Sequence, residues 1–538
     1  MNMKLNYKKT IYVGFAFFLI CAFWQAYDST VPLILTNKFG LSQTASGIIM
    51  ALDNILALVL LPLFGAISDK HTGKRGRRTP FILIGTIAAA LLFTAMSFAD
   101  AAQLRNIEKV SKVDDPAALE VIYDAEGTRT LKTPEGERFV LSELFTKEEF
   151  LQIRSTMVKG EQNDSLPFSD TELKEIEKYQ AGDTFTNPHY TDYVVPARQA
   201  YAHDMTKESP TALIVFIVLL LLVLFSMAIF RSPAVALMPD VTIKPLRSKA
   251  NAVINLMGTA GGIIVLILGM VFATGKVENA MMRYTVYYGV IALIMLLTLA
   301  VFMRKVREPE LVRQMHEESR RHGIGEDEED GSGSRKLSRS ERRSLFFLLA
   351  SIVLWFMGYN AVTSKYSVYA GSILNKDYNL TLIIAQAAAV ASYLPVGMIA
   401  SKVGRKKTIL AGIVMLTAAF GVAAFLRQDD STLLMNAMFA LAGIGWATIN
   451  VNSFPMVVEM CRGGDVGKYT GIYYTASMAA QTITPVLSGR LMDKNGMTIL
   501  FPYAAVAVAL AFVTMLFVMH GDNKPEAKRG LEALDAEV

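Results

Sequence analysis

Long apolar segments without charged residues constrain this chain more than any other feature. The stretch 53–81 shows the pattern: an apolar run ends in Gly65-x-x-Ser68-Asp69, a basic turn follows, and a second apolar run begins at Pro80. The turn is too basic for hydrocarbon, so it must lie at a membrane face, and the positive-inside rule predicts the cytoplasmic face. Gly65 allows two helices to approach closely.

The composition agrees with a membrane protein. Of 538 residues, 52% are hydrophobic and only 19% are charged, whereas soluble domains carry roughly 25% charged residues. About twelve segments are long enough for transmembrane helices, which need about 20 apolar residues each. We predict an all-α membrane protein with spans at 11–35, 45–67, 80–98, 211–237, 251–272, 284–303, 345–370, 380–400, 408–426, 433–457, 469–487 and 499–519.

The basic loops fall on one side when these spans alternate, which predicts a multi-pass protein of the cell membrane with both termini in the cytoplasm. A repeated motif divides the spans into two six-helix halves. The predicted organisation is 1–99, the first three spans; 100–208, an extracytoplasmic insertion; 209–303, spans four to six; 304–343, a cytoplasmic linker; 344–520, the second half; and 521–538, a cytoplasmic tail.

The insertion and the linker are the two long polar segments. In the insertion, 145–150 and 169–176 have the pattern of short capped helices, and two interpretations stay open: a small solvated cap, or a lid that recruits substrate. The mixed-charge sequence of the linker predicts an amphipathic surface helix followed by a flexible part. Neither Cys21 nor Cys461 lies where a disulfide is expected.

Two motifs resemble those of the major facilitator superfamily. The first is Gly65-x-x-Ser68-Asp69 with Gly76-Arg77-Arg78, and its counterpart in the second half, 397–407, has Ser401 where that family has an aspartate. The run through Thr79-Pro80-Phe81, together with 32–40 and 231–240, is similar to the plant sucrose–proton symporters and the related glycoside–pentoside–hexuronide:cation symporters. This resemblance implies the twelve-span major facilitator fold and a sugar carrier.

Ionisable side chains deep in a span are costly and usually functional. Asp28, Asp53 and Arg231 are such residues, all in the first half, whereas Lys365 lies near the end of its span and is expected to snorkel to the interface. The resemblance places a substrate-binding arginine at Arg231. We predict proton or cation coupling at Asp53 and Asp28, with helix–helix hydrogen bonding as the structural alternative.

The second half supplies aromatic, amide and hydroxyl side chains instead of charges. Such groups suit the apolar faces and hydroxyls of a neutral sugar, while bundle packing is the alternative for each of them. The relatives have an aspartate near Asn360, which cannot carry a proton. The predicted substrate-binding residues are Arg231, Trp24, Gln25, Tyr27, Asn360, Tyr359, Trp446 and Asn450.

A gate is predicted at the cytoplasmic face. Asp69, Arg77, Arg78 and Asp240 are expected to form charge pairs between spans. We find no nucleotide-binding loop, no catalytic triad and no metal-ligand spacing, so we expect no enzyme, no cofactor and no metal.

The leading hypothesis is a proton-coupled importer of a disaccharide or glucoside that works by alternating access. The alternatives are a sodium-coupled or facilitative carrier of another small solute, and a membrane sensor that uses 100–208 as its ectodomain. The expected partners are the sugar, the coupling proton or Na⁺, and the lipid bilayer. We expect a monomer that binds no nucleic acid.

Overall fold

The computed structural model describes residues 5–158, 184–243, 246–322, 337–428, 430–459 and 466–521. Within these ranges each predicted span overlaps one long helix. In chain order, spans 1 to 12 are Tyr7–Leu33, which continues as a π-helix over Ile34–Lys38, then Gln43–Lys70, Thr79–Asn106, Thr211–Asp240, Arg247–Val271, Thr285–Lys305, Arg339–Ser372, Tyr378–Val403, Arg405–Ala423, Thr432–Glu459, Val466–Asn495 and Leu500–Leu516.

Ten helices in the described ranges are long and apolar enough to cross a membrane by length and composition alone. Span 11, Val466–Asn495, has 30 residues but does not meet that criterion. Its polar and aromatic side chains, among them Tyr473 and Gln481, face a cavity between the halves and lower its mean hydropathy. Span 8, Tyr378–Val403, has 26 residues, and its Tyr393 faces the same cavity.

The bundle has two distinguishable ends. The insertion contacts the connections between spans 7 and 8, 9 and 10, and 11 and 12, through Asn375, Gln428 and Met497. We call this the insertion end. The basic turn between spans 2 and 3 lies at the opposite end, the loop end, where Arg77 contacts Asp240 at the end of span 4.

Each half has its own apolar core. In the first half, the Phe93 and Tyr288 rings stack with centroids 4.0 Å apart. In the second half, Trp355 is fully buried, and Tyr366 packs against Phe439 with ring centroids 4.5 Å apart. Lipid tails are as apolar as these side chains, so close packing within each half is what holds its six helices together.

The two halves meet closely at the insertion end. A Cβ on Gly47 of span 2 would lie 2.0 Å from the Pro485 carbonyl oxygen of span 11, and one on Gly489 would lie 2.3 Å from the Gln43 carbonyl oxygen. Only glycine permits backbones to approach this closely. The prediction that Lys365 snorkels to the interface is wrong: its side chain is buried, because its Nζ donates to the Gln43 carbonyl oxygen across this contact at 2.7 Å.

The insertion is a small folded unit with its own apolar core. Leu119, Ile122, Phe150 and Tyr190 are fully buried in this core. Outside 159–183, which the structure does not describe, its helices are Glu108–Val110, Pro116–Glu126, Leu141–Leu144, Lys147–Phe150, the π-helix Tyr190–Val194, and Val195–Glu208. Its described strands form two antiparallel pairs, the hairpin of β1 (Thr130–Lys132) with β2 (Arg138–Val140), and β3 (Thr156–Val158) with β4 (Thr184–Thr186).

One of the two short helices expected in the insertion is confirmed. Lys147–Phe150 begins with a capping box, in which the Thr146 side chain accepts from the Glu149 backbone while the Glu149 side chain accepts from the Thr146 backbone. The other, at 169–176, lies outside the described residues. The amphipathic helix expected after span 6 is present as Glu308–Arg321, the linker helix.

Candidate functional site

A cavity of about 400 Å³ lies between the two halves. Side chains from both halves line it, and most of them are polar or aromatic. The lining residues are Trp24, Asp28, Met50, Asp53, Asn54, Arg231, Phe356, Tyr359, Asn360, Thr363, Ser364, Tyr393, Trp446, Asn450, Tyr473, Tyr474, Ser477, Met478, Gln481 and Pro485.

The first half contributes the charged wall of this cavity. Asp28, Asp53 and Arg231 come from spans 1, 2 and 4, and all three are half-buried. The guanidinium carbon of Arg231 lies 5.5 Å from the centre of the Trp24 ring, a cation–π distance. Asp53 Oδ1 accepts hydrogen bonds of 2.6 Å from the backbone and the side chain of Asn54. Helix packing thus brings together three charges that are far apart in sequence.

The three charges share the cavity without forming a closed ion pair. In the part of the chain that the structure describes, neither Asp28 nor Asp53 forms a salt bridge with Arg231. Arg231 still attracts both carboxylates through the cavity. The guanidinium therefore keeps its fork of donors for a bound molecule.

The second half contributes an aromatic and amide wall. The rings of Tyr359 and Trp446 stack with centroids 3.7 Å apart and planes 5° apart, and Phe356 packs edge-on against Trp446 at 5.1 Å. Asn360 donates to the Phe356 carbonyl oxygen at 2.9 Å, which fixes the orientation of its amide. Asn450 completes this wall. The result is a rigid apolar surface bordered by amide groups.

Two predicted substrate contacts do not line the cavity. Gln25 accepts a 2.6 Å hydrogen bond from Gln386 of span 8 and donates to Ser29. Tyr27 is 1% exposed and stacks on Phe23. Both lie behind the wall in this conformation, and their roles in substrate binding stay predictions.

The cavity also contains residues that the sequence analysis did not select. Asn54 holds Asp53 in place, and Tyr393 brings a phenol from span 8. Thr363 and Ser477 add hydroxyl groups. The available signal was a polar or aromatic residue in the middle of an apolar run, which identifies Tyr393 but gives no orientation around the helix.

The four predicted gate residues lie together at the loop end. Arg77 bonds both oxygens of Asp240, with Nη2 to Oδ1 at 2.6 Å and Nε to Oδ2 at 3.1 Å. Arg78 bonds the same carboxylate at 2.8 Å through Nε and also pairs with Asp69. Burial opposes the charge on Arg78, but the bonds from Asp240 and Asp69 outweigh it, so the pKa of its guanidinium lies above the usual value.

The linker helix supports this cluster through a residue that the motif analysis missed. The Glu308 carboxylate accepts from the backbone N–H groups of Arg77, Arg78 and Thr79 at 2.7 to 3.0 Å. These groups open span 3, and a carboxylate at a helix N-terminus is favourable. Gly76 has φ +101°, and a Cβ there would lie 2.3 Å from Glu308 Cδ, so the close fit requires glycine.

A second buried ion pair lies at the insertion end of the first half. Lys38 Nζ bonds Asp100 Oδ1 at 2.6 Å and the Met282 carbonyl oxygen at 2.6 Å, with both side chains fully buried. Both residues lie just beyond the predicted ends of spans 1 and 3. Within the described ranges no group of three or more His, Cys, Asp or Glu side chains could hold a metal ion.

Comparison with known proteins identifies the class. The Major Facilitator Superfamily model matches residues 202–389 and 375–536, and the model described as MFS/sugar transport protein matches residues 11–105. The chain therefore belongs to the major facilitator superfamily. Membership in this family of transporters confirms the twelve-span fold and the prediction that the chain is not an enzyme.

The curated relatives match only part of this chain. An MFS-type transporter, ppzB, of Metarhizium rileyi (strain RCEF 4871) is 27% identical over 141 residues, which is 26% of this chain and 28% of that protein. The chain spans less than half the length of the curated relatives it matches.

Two solved structures show the same fold. The inward-open xylose transporter XylE from E. coli aligns with a TM-score of 0.55 at 14% identity, covering 98% of each chain. An inward-facing bacterial homologue of the iron transporter ferroportin aligns with a TM-score of 0.55 at 13% identity, covering 95% of this chain and 99% of that one. Identities this low establish the fold alone.

Proposed function

We propose that this protein is a secondary active transporter that imports a neutral disaccharide or glucoside together with protons by alternating access. One observation carries the proposal. Two unpaired carboxylates and an arginine on one wall of the central cavity face stacked aromatic rings and amides on the other. The second wall suits a sugar ring, and the first can link sugar binding to a proton.

The size of the cavity supports a ligand of this class. Ligand sites commonly occupy about 300–1,000 Å³, and the cavity measures about 400 Å³. The flat Tyr359–Trp446 stack suits the apolar face of a pyranose, and Asn360 and Asn450 offer amides to its hydroxyls. Arg231 can donate two hydrogen bonds to neighbouring hydroxyls because its guanidinium is a planar fork.

The conformation fits the inward-facing state of such a carrier. The halves are joined at the insertion end by bonds such as Lys365 to Gln43, and at mid-depth by Gln386 to Gln25. The gate pairs at the loop end all lie within the first half. With the insertion outside the cell, the cavity is closed to the exterior, and this orientation follows the positive loops.

Cysteine labelling tests this orientation. Ser165 of the insertion and Ser332 of the linker, both outside the described residues, are replaced singly by cysteine after Cys21 and Cys461 are replaced by alanine. A membrane-impermeant thiol reagent added to intact cells should label S165C and spare S332C, because twelve spans place these segments on opposite faces. The reverse pattern contradicts the orientation.

Counterflow measures the substrate class directly. Proteoliposomes preloaded with an unlabelled disaccharide should take up the same labelled sugar by exchange, and a panel of glucosides, hexoses and dipeptides defines the range. Exchange needs the cavity but no driving gradient. Exchange of dipeptides without exchange of any sugar contradicts the proposed cargo.

A sodium-coupled carrier is the second candidate. The paired presence of Asp28 and Asp53 in the cavity favours it, because carboxylate oxygens are hard ligands that bind small cations. Uptake driven by an inward Na⁺ gradient at equal pH on both sides would assign the two acids to sodium. Uptake driven by a proton gradient in sodium-free buffer assigns them to protons.

The loop-end cluster is proposed as the cytoplasmic gate. Asp69→Asn removes one carboxylate from Arg78 and leaves Asp240 in place. Asp69 is 57% exposed in this pair, so a loss of about 0.2–1 kcal/mol is expected, which changes the ratio of conformations by up to about fivefold. Sugar uptake should slow while the carrier reaches the membrane in normal amount, measured by initial rates and by surface labelling. Unchanged uptake contradicts the role of Asp69 in gating.

A further inference from the structure

The insertion reaches from the first half onto the second half through the turn of its first hairpin. We call 130–140, which contains β1, the turn 133–137 and β2, the hairpin. The Met497 N–H donates to the Pro134 carbonyl oxygen at 2.7 Å, and Lys132 Nζ donates to the Asp493 carbonyl oxygen at 3.0 Å. Glu135 pairs with Arg427 at 3.3 Å. The hairpin is thus bonded to two separate connections of the second half.

The β3–β4 strand pair also contacts the second half. Gln428 Nε2 donates to the Thr186 carbonyl oxygen of β4 at 2.6 Å, and Thr186 Oγ1 lies 3.4 Å from the Asn375 carbonyl oxygen. Gln428 also accepts from Asn375, which joins the two connections beneath β4. Both strand pairs of the insertion therefore contact the connections of the second half at the insertion end.

The root of the insertion is fixed to the first half. Gln103 Nε2 donates to the Lys38 carbonyl oxygen at 2.9 Å and to Thr206 Oγ1 at 2.8 Å. Gln199 donates to Asn37 at 2.9 Å. Met281, from the connection between spans 5 and 6, packs into the core of the insertion. These contacts make the insertion part of the first half, so the second half can move away at this end only if the strand pairs of the insertion release it.

The hairpin binds the same short segment that closes the halves beneath it. Asp493 accepts from the Gln43 N–H through Oδ1 and from the Thr44 N–H through Oδ2, both at 2.8 Å. This places a carboxylate of the second half on the N-terminus of span 2 of the first half, a favourable charge–dipole contact. The residues held by the hairpin are Asp493, in the last turn of span 11, and Met497, just after that helix ends at Asn495.

We propose that the insertion is an external latch. The hairpin holds the last turn of span 11, which contains Asp493, against the N-terminus of span 2, and so stabilises the state closed at the insertion end. This assignment rests on the proposed alternating-access function. Opening at the insertion end must move the halves apart, which breaks the Asp493 contacts and the hairpin contacts together. A weakened hairpin therefore shifts the population toward the state open at the insertion end.

A distance measurement across the insertion end tests the latch without any sugar. Spin labels are placed at Glu278→Cys in the first half and Ser431→Cys in the second, two exposed positions, after Cys21 and Cys461 are replaced by alanine. The distance between the two spin labels is measured by electron paramagnetic resonance on the full-length protein in nanodiscs. With the hairpin unaltered, a short distance should predominate, and opening at the insertion end should add a longer one.

The variants alter the hairpin while leaving the cavity intact. Glu135→Arg turns the attraction to Arg427 into repulsion and should raise the long-distance population about two- to fivefold, because exposed ion pairs are weak. Adding Arg427→Glu reverses both charges and should restore the original distribution. Replacing 133–137 with Gly-Gly also removes the Pro134 bond and should raise the open population about tenfold.

Lys147→Glu is the matched control. It reverses a charge that pairs with Asp124 and Glu120 inside the insertion, at similar exposure and away from the second half. It should leave the distances unchanged. If the Gly-Gly variant does not fold, the test rests on Glu135→Arg and on the double variant that adds Arg427→Glu.

Unchanged distances in Glu135→Arg, or a shift that Arg427→Glu does not reverse, overturn the latch. The readout is separate from the proposed cargo. If Glu135→Arg raises the long-distance population in a carrier that moves no sugar, the latch stands and the sugar assignment fails. If the carrier takes up sugar but the distances do not change, the latch fails and the sugar assignment stands.

Discussion

Replacing Asp53 with asparagine is expected to abolish uphill accumulation of sugar while counterflow persists. When Asp53 is protonated, its charge no longer draws the Arg231 guanidinium away from a bound sugar, so protonation tightens sugar binding, and by linkage sugar favours protonation. Asparagine mimics the protonated state permanently, which permits exchange but removes the proton from the cycle. A one-unit pH gradient should concentrate sugar up to about tenfold with Asp53, since each factor of ten corresponds to about 1.4 kcal/mol, and should give no accumulation in the variant.

Asp28→Asn is the matched control, because Asp28 lines the same cavity and also lies near Arg231. We assign the coupling to Asp53, since the Trp24 ring beside Asp28 makes that acid equally suited to contact the sugar. Accumulation and counterflow are measured on the same proteoliposomes for both variants. Accumulation that survives in Asp53→Asn and disappears in Asp28→Asn transfers the coupling role to Asp28.

Replacing Arg231 with alanine is expected to abolish both accumulation and counterflow. The substitution removes the guanidinium that we propose binds the sugar and that attracts the two carboxylates, and it also removes the cation from the Trp24 face. Hydrogen bonds to a charged group contribute about 1.5–3 kcal/mol, so sugar binding should weaken by about ten- to a hundredfold. Sugar binding is measured by calorimetric titration of the purified protein, because a variant that does not exchange sugar gives no half-saturating concentration.

Arg231→Lys separates charge from geometry. Lysine keeps the positive charge and loses the planar fork. The Arg231→Lys carrier should therefore fold but show only weak counterflow compared with the unaltered protein. Arg247, which bonds the Pro239 and Thr242 carbonyl oxygens away from the cavity, provides a control through Arg247→Lys with near-normal exchange. Full exchange by Arg231→Ala contradicts substrate binding at this residue.

The sequence predicted the fold because hydrocarbon imposes strict demands on it. Each span must be long, apolar and helical to satisfy its backbone, so all twelve spans could be located, and basic loops fixed their alternation. Asp69, Arg77 and Arg78 belong to one motif, and the structure places them beside Asp240; their role as a gate stays a prediction. Deep charges were identified by their cost in an apolar run, and the structure brings Asp28, Asp53 and Arg231 to one cavity; their roles stay predictions.

Contacts that depend on a partner far away in sequence could not be predicted. Lys365 was expected to reach solvent, but a backbone carbonyl of span 2 receives its ammonium instead. Lys38 and Asp100 lie beyond span ends in sequence, yet both side chains are fully buried, and the Lys38 ammonium meets the Met282 carbonyl oxygen and the Tyr284 ring. Tyr27 and Gln25 share a short stretch with Asp28, but helical rotation turns them behind the cavity wall.

The most direct test of the central claim is sugar accumulation driven by a proton gradient alone. Purified protein is reconstituted in sodium-free proteoliposomes, the exterior is made about one unit more acidic, and uptake of a labelled disaccharide is followed with and without a protonophore. We predict accumulation above the external concentration that collapses when the protonophore is added. Uptake that stops at equal concentrations on both sides, and is indifferent to the protonophore, contradicts proton-coupled sugar transport.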